Sequence, residues 1–259
     1  MIATAHADHQ PHPFHGVTQI VRFNWPFYAI GAPAALAAVL TIPRLSASAG
    51  AELLMYSAVA LGWLWLVGSL AVSWLVYDRS ILMAGHWIPR ELGFPPTRWI
   101  HIHAGLDSMT RALRKVLGGA PGRVFDMFDA ASMTEPSIRR ARVNAASSAP
   151  SEPVDYRSLP VDTESVDLVV LPLSAHELRT HAARRALFEE VRRGLTAGGR
   201  VVVAEHLRDW PNFIAFGPGA FHFHSRRAWK RCFTDAGLAI HREFSITPFV
   251  HVFILRRSA

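Results

Sequence analysis

EPVDYRSLPVDTESVDLVVLPLSAHELRTHAARRALFEEVRRGLTAGGRVVVAEH, residues 152–206, decides the fold of this chain. Val166–Leu173 is a nearly unbroken apolar run rich in β-branched side chains, the pattern of a strand covered on both faces. Arg184–Leu195 follows as an amphipathic helix, its apolar stripe formed by Ala186, Leu187, Val191 and Leu195. Gly198-Gly199 ends that segment, and Arg200–Ala204 supplies the next strand. Strand, helix and strand joined by a short glycine turn form the βαβ unit of an α/β, doubly wound, Rossmann-like sheet.

The same residues carry a resemblance. Asp155 stands four positions before Leu159-Pro160, and Asp167 opens the apolar strand. Glu189/Glu190 with Arg192/Arg193, then Ala197-Gly198-Gly199, complete the pattern. From Trp99 to Arg257 the chain resembles the class I S-adenosylmethionine-dependent methyltransferases, most closely the branch that includes quinone and small-molecule methyltransferases. The resemblance implies S-adenosylmethionine (SAM) as cofactor. It also implies a first strand at Arg98–His103, a first helix at Leu106–Leu117 and a second strand at Arg123–Phe128. At the other end it implies a helix at Ser225–Ala236 capped by Gly237, then strands at Ala239–Ser245 and His251–Leu255. Pro248 turns the chain between those last two strands, which form the antiparallel edge.

In such a sheet the nucleotide lies at the carboxyl ends of the first strands, where a glycine-rich turn lets the backbone approach the ligand. The family has an acidic residue and then three alternate glycines there. This chain reads His103-Ala104-Gly105-Leu106-Asp107-Ser108-Met109, so only Gly105 matches. His103 takes the acidic position, and Asp107 and Met109 replace the second and third glycines; Asp107 also suits the N-cap of the first helix. For the ribose hydroxyls the resemblance offers Asp126 and Asp129, with Asp129 read as nearer the strand end. Asp155 falls where the family contacts the adenine amino group.

Methyl transfer needs proximity and in-line geometry, and a base only where the nucleophile must lose a proton. His176, just after the fourth strand, is the first candidate general base, with Glu177 as its orienting partner. His206, after the fifth strand, is the second. Trp210–His224, WPNFIAFGPGAFHFH, reads as a glycine- and aromatic-rich lid over a lipophilic acceptor. His222 and His224 are too few to call a metal site, and none is expected.

Ahead of this domain the chain is strongly apolar. Asn24–Pro43 and Leu53–Val76 contain no charged residue, and at ~1.5 Å per residue each reaches across a ~30 Å hydrocarbon core. Trp25, Phe27, Tyr28, Trp74 and Tyr77 flank them as interfacial aromatics. Of 27 Lys and Arg, all but Arg22 and Arg44 lie beyond Val76. The positive-inside rule therefore puts both termini and the globular domain in the cytoplasm, with a multi-pass anchor in the inner membrane. The single cysteine, Cys232, excludes an intramolecular disulfide and suits a reducing compartment. A net charge of +7 is spread along the domain without a nucleic-acid-binding module, so the expected partner of that charge is the lipid bilayer.

The expected organisation is a His-rich polar tail (1–23), a transmembrane helical hairpin (24–77), a juxtamembrane connector against the headgroups (78–97) and a methyltransferase-like domain (98–259). In the tail, His6, His9, His12 and His15, with Pro11 and Pro13 among them, read as a disordered or extended segment rather than a metal site. Tyr77-Asp78-Arg79-Ser80 is read as a helix terminator. Two functions from different classes fit: a SAM-dependent methyltransferase acting on a quinone, lipid or pigment precursor, and a catalytically silent subunit whose lid docks on a membrane-protein partner.

Overall fold

The computed structural model describes residues 13–46, 48–105, 107, 109–144 and 150–258. Of the tail histidines, His6, His9 and His12 lie outside them, as do Leu106 and Ser108 of the glycine turn. Seven strands form one sheet in the order β3-β2-β1-β4-β5-β7-β6. They are β1 Trp99–His103, β2 Gly122–Asp126, β3 Glu152–Pro153, β4 Val166–Pro172, β5 Leu195–Glu205, β6 Leu238–Thr247 and β7 Val250–Arg257. β1 to β5 are parallel, and β7 runs antiparallel to both its neighbours. The doubly wound sheet with an antiparallel edge is therefore as expected. Pro248 and Phe249 form the turn between the last two strands.

One face of the sheet packs Ile102, Val169, Leu171, Val203 and Phe253 against Leu187, Phe188 and Val191 of α6 (His181–Gly194) and Trp229 and Phe233 of α8 (Arg226–Asp235). Phe188 meets Trp229 and Phe233 edge-on, with ring centroids 6.3 and 5.0 Å apart. The α6 helix ends at Gly194, ahead of Gly198-Gly199. The role of Gly199 is close approach, since a Cβ there would come within 3.0 Å of the Leu195 side chain and the Asp167 carbonyl. The Glu-x-x-Arg pairing resolves to Glu190 and Arg193. Glu190 accepts from Leu159 N at 2.9 Å, while Arg193 donates to the carbonyls of Leu159 and Val161 at 2.9 and 2.8 Å. This clamp fixes the Leu159-Pro160 loop and contributes no chemistry.

The opposite face corrects the reading of the connector. Leu82, Trp87, Ile88 and Leu92, on and around α3 (Trp87–Leu92), are buried with Val76 against Leu168, Val170, Val202 and Ile254. Residues 78–97 are therefore part of the domain's core. α4 (Thr110–Val116) adds Leu113 to the same cluster, and Met109 just before it is fully buried there.

The N-terminal hairpin is α1 (His15–Leu45) and α2 (Ala49–Ser73), the latter continued by a wider π-type turn to Arg79. Helix thus starts at His15, inside the segment read as tail. Its first backbone amides are held by Asp78, which accepts from Gly16 N at 2.6 Å and Val17 N at 2.9 Å, so Asp78 caps α1 across the chain. α1 kinks at Asn24 (φ −112°, ψ 17°), two residues before Pro26, which has no N–H to donate into the turn behind it. Arg140, on α5 (Pro136–Asn144), donates to the carbonyl of Phe23 at the kink. Beyond the kink both helices leave the domain. Their most apolar windows are only 6% and 11% buried, with Phe27, Ile30, Leu40, Leu54 and Leu64 exposed. Each is long and apolar enough to cross a membrane.

Candidate active site

The site lies at the carboxyl edge of the parallel strands. β1 ends at His103, and Gly105 follows with φ +103°, a conformation open to glycine. Asp107 performs the capping role, accepting from Met109 N at 3.2 Å and Thr110 N at 2.9 Å. Met109 in the third glycine position therefore serves the core. His103 Nδ1 accepts from Gly105 N at 3.0 Å, which places the ring proton on Nε2. Among the described residues that Nε2–H is buried without a partner, and burial lowers the pKa of the ring, keeping it neutral.

The two ribose candidates separate. Asp126 is the last residue of β2, in register with His103, so it stands at the strand end. Asp129, read as nearer the end, instead closes its own exposed turn, accepting from Ala131 N at 2.9 Å and Ser132 Oγ at 2.9 Å. These bonds lower its pKa and leave it no part in the strand edge. β2 ends at Asp126, two residues before the expected Phe128. Asp155 is exposed and turned into its own loop, accepting from Arg157 N at 2.9 Å. Its neighbour Val154 donates to the Asp126 carbonyl at 3.0 Å, so both acids share one edge of the sheet.

A residue outside the sequence reading lies across this cradle. Arg142 of α5 pairs with Asp126 Oδ2 at 2.6 Å and stacks 4.1 Å over Phe128. A Cβ on Gly105 would stand 2.6 Å from Arg142 Cγ and Nη1. The guanidinium therefore covers the bare backbone that a nucleotide would approach. The donor set otherwise suits SAM: a glycine with positive φ, a strand-end carboxylate and an unpartnered imidazole N–H. Arg142, itself one-third exposed, would have to leave this position for a nucleotide to reach the backbone of Gly105.

At the ends of β4 and β5 a second cluster forms. Ser174 Oγ donates to the Ile102 carbonyl at 3.0 Å, tying the loop after β4 to β1. His176 Nδ1 lies 2.6 Å from Glu205 Oε2, and His176 N donates to Glu205 Oε1 at 3.2 Å. The orienting carboxylate of His176 is thus Glu205, fully buried at the end of β5. Glu177 lies on the other side, with Oε1 3.5 Å from His176 Nε2. Burial alone would depress the His176 pKa, but the charge and hydrogen bond of Glu205, with help from Glu177, raise it to about 9. At neutral pH His176 consequently carries a proton and donates; it becomes a base only toward pH 9.

His206 is held differently. Its Nδ1 donates to the Phe249 carbonyl at 2.8 Å, Nε2 faces Tyr77 Oη at 3.5 Å, and the ring stacks on Phe223 at 4.9 Å. Burial drops its pKa to about 4, with the positive charge of His176 adding to the effect. A neutral imidazole locked this way joins β7, the end of the hairpin and the lid, which is a packing role and departs from the second-base expectation. His224 accepts from Arg184 Nη1 at 2.7 Å, and burial plus that guanidinium hold its pKa near 3.

The lid consists of α7 (Trp210–Phe216) and a tight turn over Gly217–His222. It packs on α2: Trp65 meets Phe213 edge-on at 6.1 Å, and a Cβ on Gly217 would run into the Trp65 ring. Trp210, Ile214 and Phe221 face outward at 76%, 65% and 61% exposure.

The fold is that of the SAM-dependent methyltransferases. A SAM-dependent methyltransferase from Aquifex aeolicus superposes with a TM-score of 0.51 at 15% identity, over 67% of this chain and 89% of that one. The mitomycin 7-O-methyltransferase MmcR gives 0.54 at 14% identity, over 96% of this chain and 74% of that one. The pyocyanin biosynthetic protein PhzM gives 0.55 at 18% identity, over 93% and 73%. Coverage this high takes in the N-terminal helices as well as the sheet. No protein-family model and no curated protein matches the chain in sequence.

Proposed function

We propose that this protein is a SAM-dependent methyltransferase acting on a lipophilic small molecule, a quinone, lipid or pigment precursor, from an anchor in the inner membrane. The observation that supports it most is the gathering of Gly105, Asp126 and the His176–Glu205 pair on one sheet edge, beneath an apolar lid. Asp126 would hold the ribose hydroxyls, and the Gly105 backbone would admit the rest of the cofactor. Bound SAM supplies an electrophilic methyl group. His176, aimed by Glu205, meets the acceptor oxygen, and Phe216 and Phe223 line its apolar side.

The anchor follows from surface chemistry. Two helices whose apolar windows are about nine-tenths uncovered by the chain call for an apolar surrounding. The outward face of the lid continues this surface, because α7 sits on α2. Counting from Ala49 to Trp65, where the lid meets α2, gives 17 residues, a rise of ~26 Å, at the short end of what a span needs. The lid then lies at the membrane boundary, where an acceptor dissolved in lipid would arrive. Both termini and the domain face the cytoplasm in this reading.

A second reading, a catalytically silent subunit of a membrane complex, is favoured by Arg142 lying across the cradle and by His103 in place of the family acid. The deciding experiment incubates detergent-solubilised protein with methyl-tritiated SAM and an extract of membrane lipids and quinones. Label in an extractable lipophilic product, lost on Asp126→Ala, supports the enzyme. Tight SAM-independent association with a stoichiometric partner, and no label transfer, supports the subunit.

A further inference from the structure

We propose that His176, Glu177 and His222 form a site for a divalent transition-metal ion, with Glu205 as the carboxylate that orients His176. Each offers one ligand atom, and these atoms all lie within 4.8 Å of one another. In a tetrahedral site with bonds of 2.0–2.2 Å, ligands stand about 3.4 Å apart. His176 Nε2 and Glu177 Oε1, 3.5 Å apart, already have that spacing. His222 is carried on the lid turn, and its ring centroid is 5.3 Å from that of His176. A closer approach of that turn by about an ångström, set against the 3.4 Å spacing, would complete the set.

Three further observations point to a ligand. Glu177 Oε2 is buried and, among the described residues, has no hydrogen-bond partner, an arrangement that costs free energy unless a ligand meets it. His176 is bound to Glu205 through Nδ1, so Nε2, on releasing its proton to solvent, can hold the ion; a carboxylate behind a ligating imidazole is the usual outer-shell arrangement. Glu135, 3.7 Å from His222 Nδ1, brings a third carboxylate to the cluster. The neighbouring cation, Arg179, donates to the backbone carbonyls of His176 and His222.

Two imidazoles and one carboxylate, with positions left open, suit zinc, cobalt, manganese or iron better than calcium. An ion there would bind the acceptor's oxygen and lower the pKa of its hydroxyl, its proton passing to water. Acceptors with a hydroxyl beside a second oxygen, such as hydroxyquinones and catechols, would fill the open positions. Only that assignment of the acceptor rests on the proposed methyl transfer; binding of the ion does not.

The test uses full-length, chelator-stripped protein in detergent, titrated with Co2+ and followed by visible absorption and metal content. One equivalent should bind with the spectrum of a low-symmetry site, and a His6→Ala, His9→Ala, His12→Ala variant should retain it. Glu177→Gln, nearly isosteric, and His222→Ala should each weaken binding at least ~100-fold, and Glu205→Gln ~10–100-fold. Near-ultraviolet circular dichroism establishes that each variant is folded; if His222→Ala is not, Glu177→Gln carries the result. Unchanged stoichiometry and spectrum in Glu177→Gln, or loss only in the tail variant, overturns the site. Loss of this site with SAM binding intact would leave the methyltransferase reading standing, and the converse result would leave the metal site standing.

Discussion

Removing Arg142 should tighten SAM binding, because its side chain occupies the cradle that the cofactor needs. The opposing interactions can be sized. The Arg142–Asp126 pair is partly solvated, with side chains 34% and 11% exposed, which limits it to about 1 kcal/mol. The stacking on Phe128 at 4.1 Å adds about 0.5–1 kcal/mol. Both must be given up before the ribose reaches Asp126. Arg142→Ala should therefore lower the SAM dissociation constant by about 10–30-fold, since 1.4 kcal/mol is a factor of ten. Isothermal titration of the two proteins in the same detergent measures this directly. Asp126→Ala should abolish binding in either background, while Asp129→Ala should leave it unchanged. Binding that is weaker or unchanged in Arg142→Ala would refute the reasoning and mean that the guanidinium is not a competitor for the site.

Three further outcomes follow from the same geometry. In selectively labelled protein, free of added metal, the His176 ring should titrate near pH 9 by NMR, and Glu205→Gln should lower that midpoint, because only Glu177 then opposes burial. A folded pKa raised above the unfolded value stabilises fully below pH 6.5 and fades as pH rises to 9, so wild-type stability should decline over that window more than that of Glu205→Gln. A cysteine at Ser46, in the loop between α1 and α2, should react with an impermeant reagent from outside the cell. Native Cys232 is buried in the core with its pKa pushed up to about 11, and it should react only after denaturation. Gly217→Ala, at φ +54° and against the Trp65 ring, should part the lid from α2 and lower acceptor turnover while SAM affinity is retained.

The sheet was legible where the sequence is regular. Val166–Leu173 and Arg200–Ala204 are apolar because both faces of a central parallel strand are covered, and α6 shows its stripe for the same reason. Residues 78–97 gave no period, since α3 is a six-residue helix whose flanks bury through irregular loop; its share of the core was invisible. Asp126 and Asp129 were confused because Met127 and Phe128 extend the apolar pattern past the last ladder pair. Glu205 was missed as the partner of His176 because it lies 29 positions away and Glu177 stands adjacent. A signal was available: a carboxylate ending the run VVVAE of a doubly covered strand must be buried, and a buried carboxylate needs a partner. Arg142 follows from no local pattern, because only the packing of α5 brings it to Gly105.

Titration of SAM into the full-length chain in detergent tests the central claim most directly. The account predicts one site per chain with a dissociation constant in the micromolar range, near −8 kcal/mol, lost in Asp126→Ala and strengthened in Arg142→Ala. Absence of binding at millimolar SAM in both wild type and Arg142→Ala would contradict it, and would leave a methyltransferase fold serving as a membrane-bound subunit.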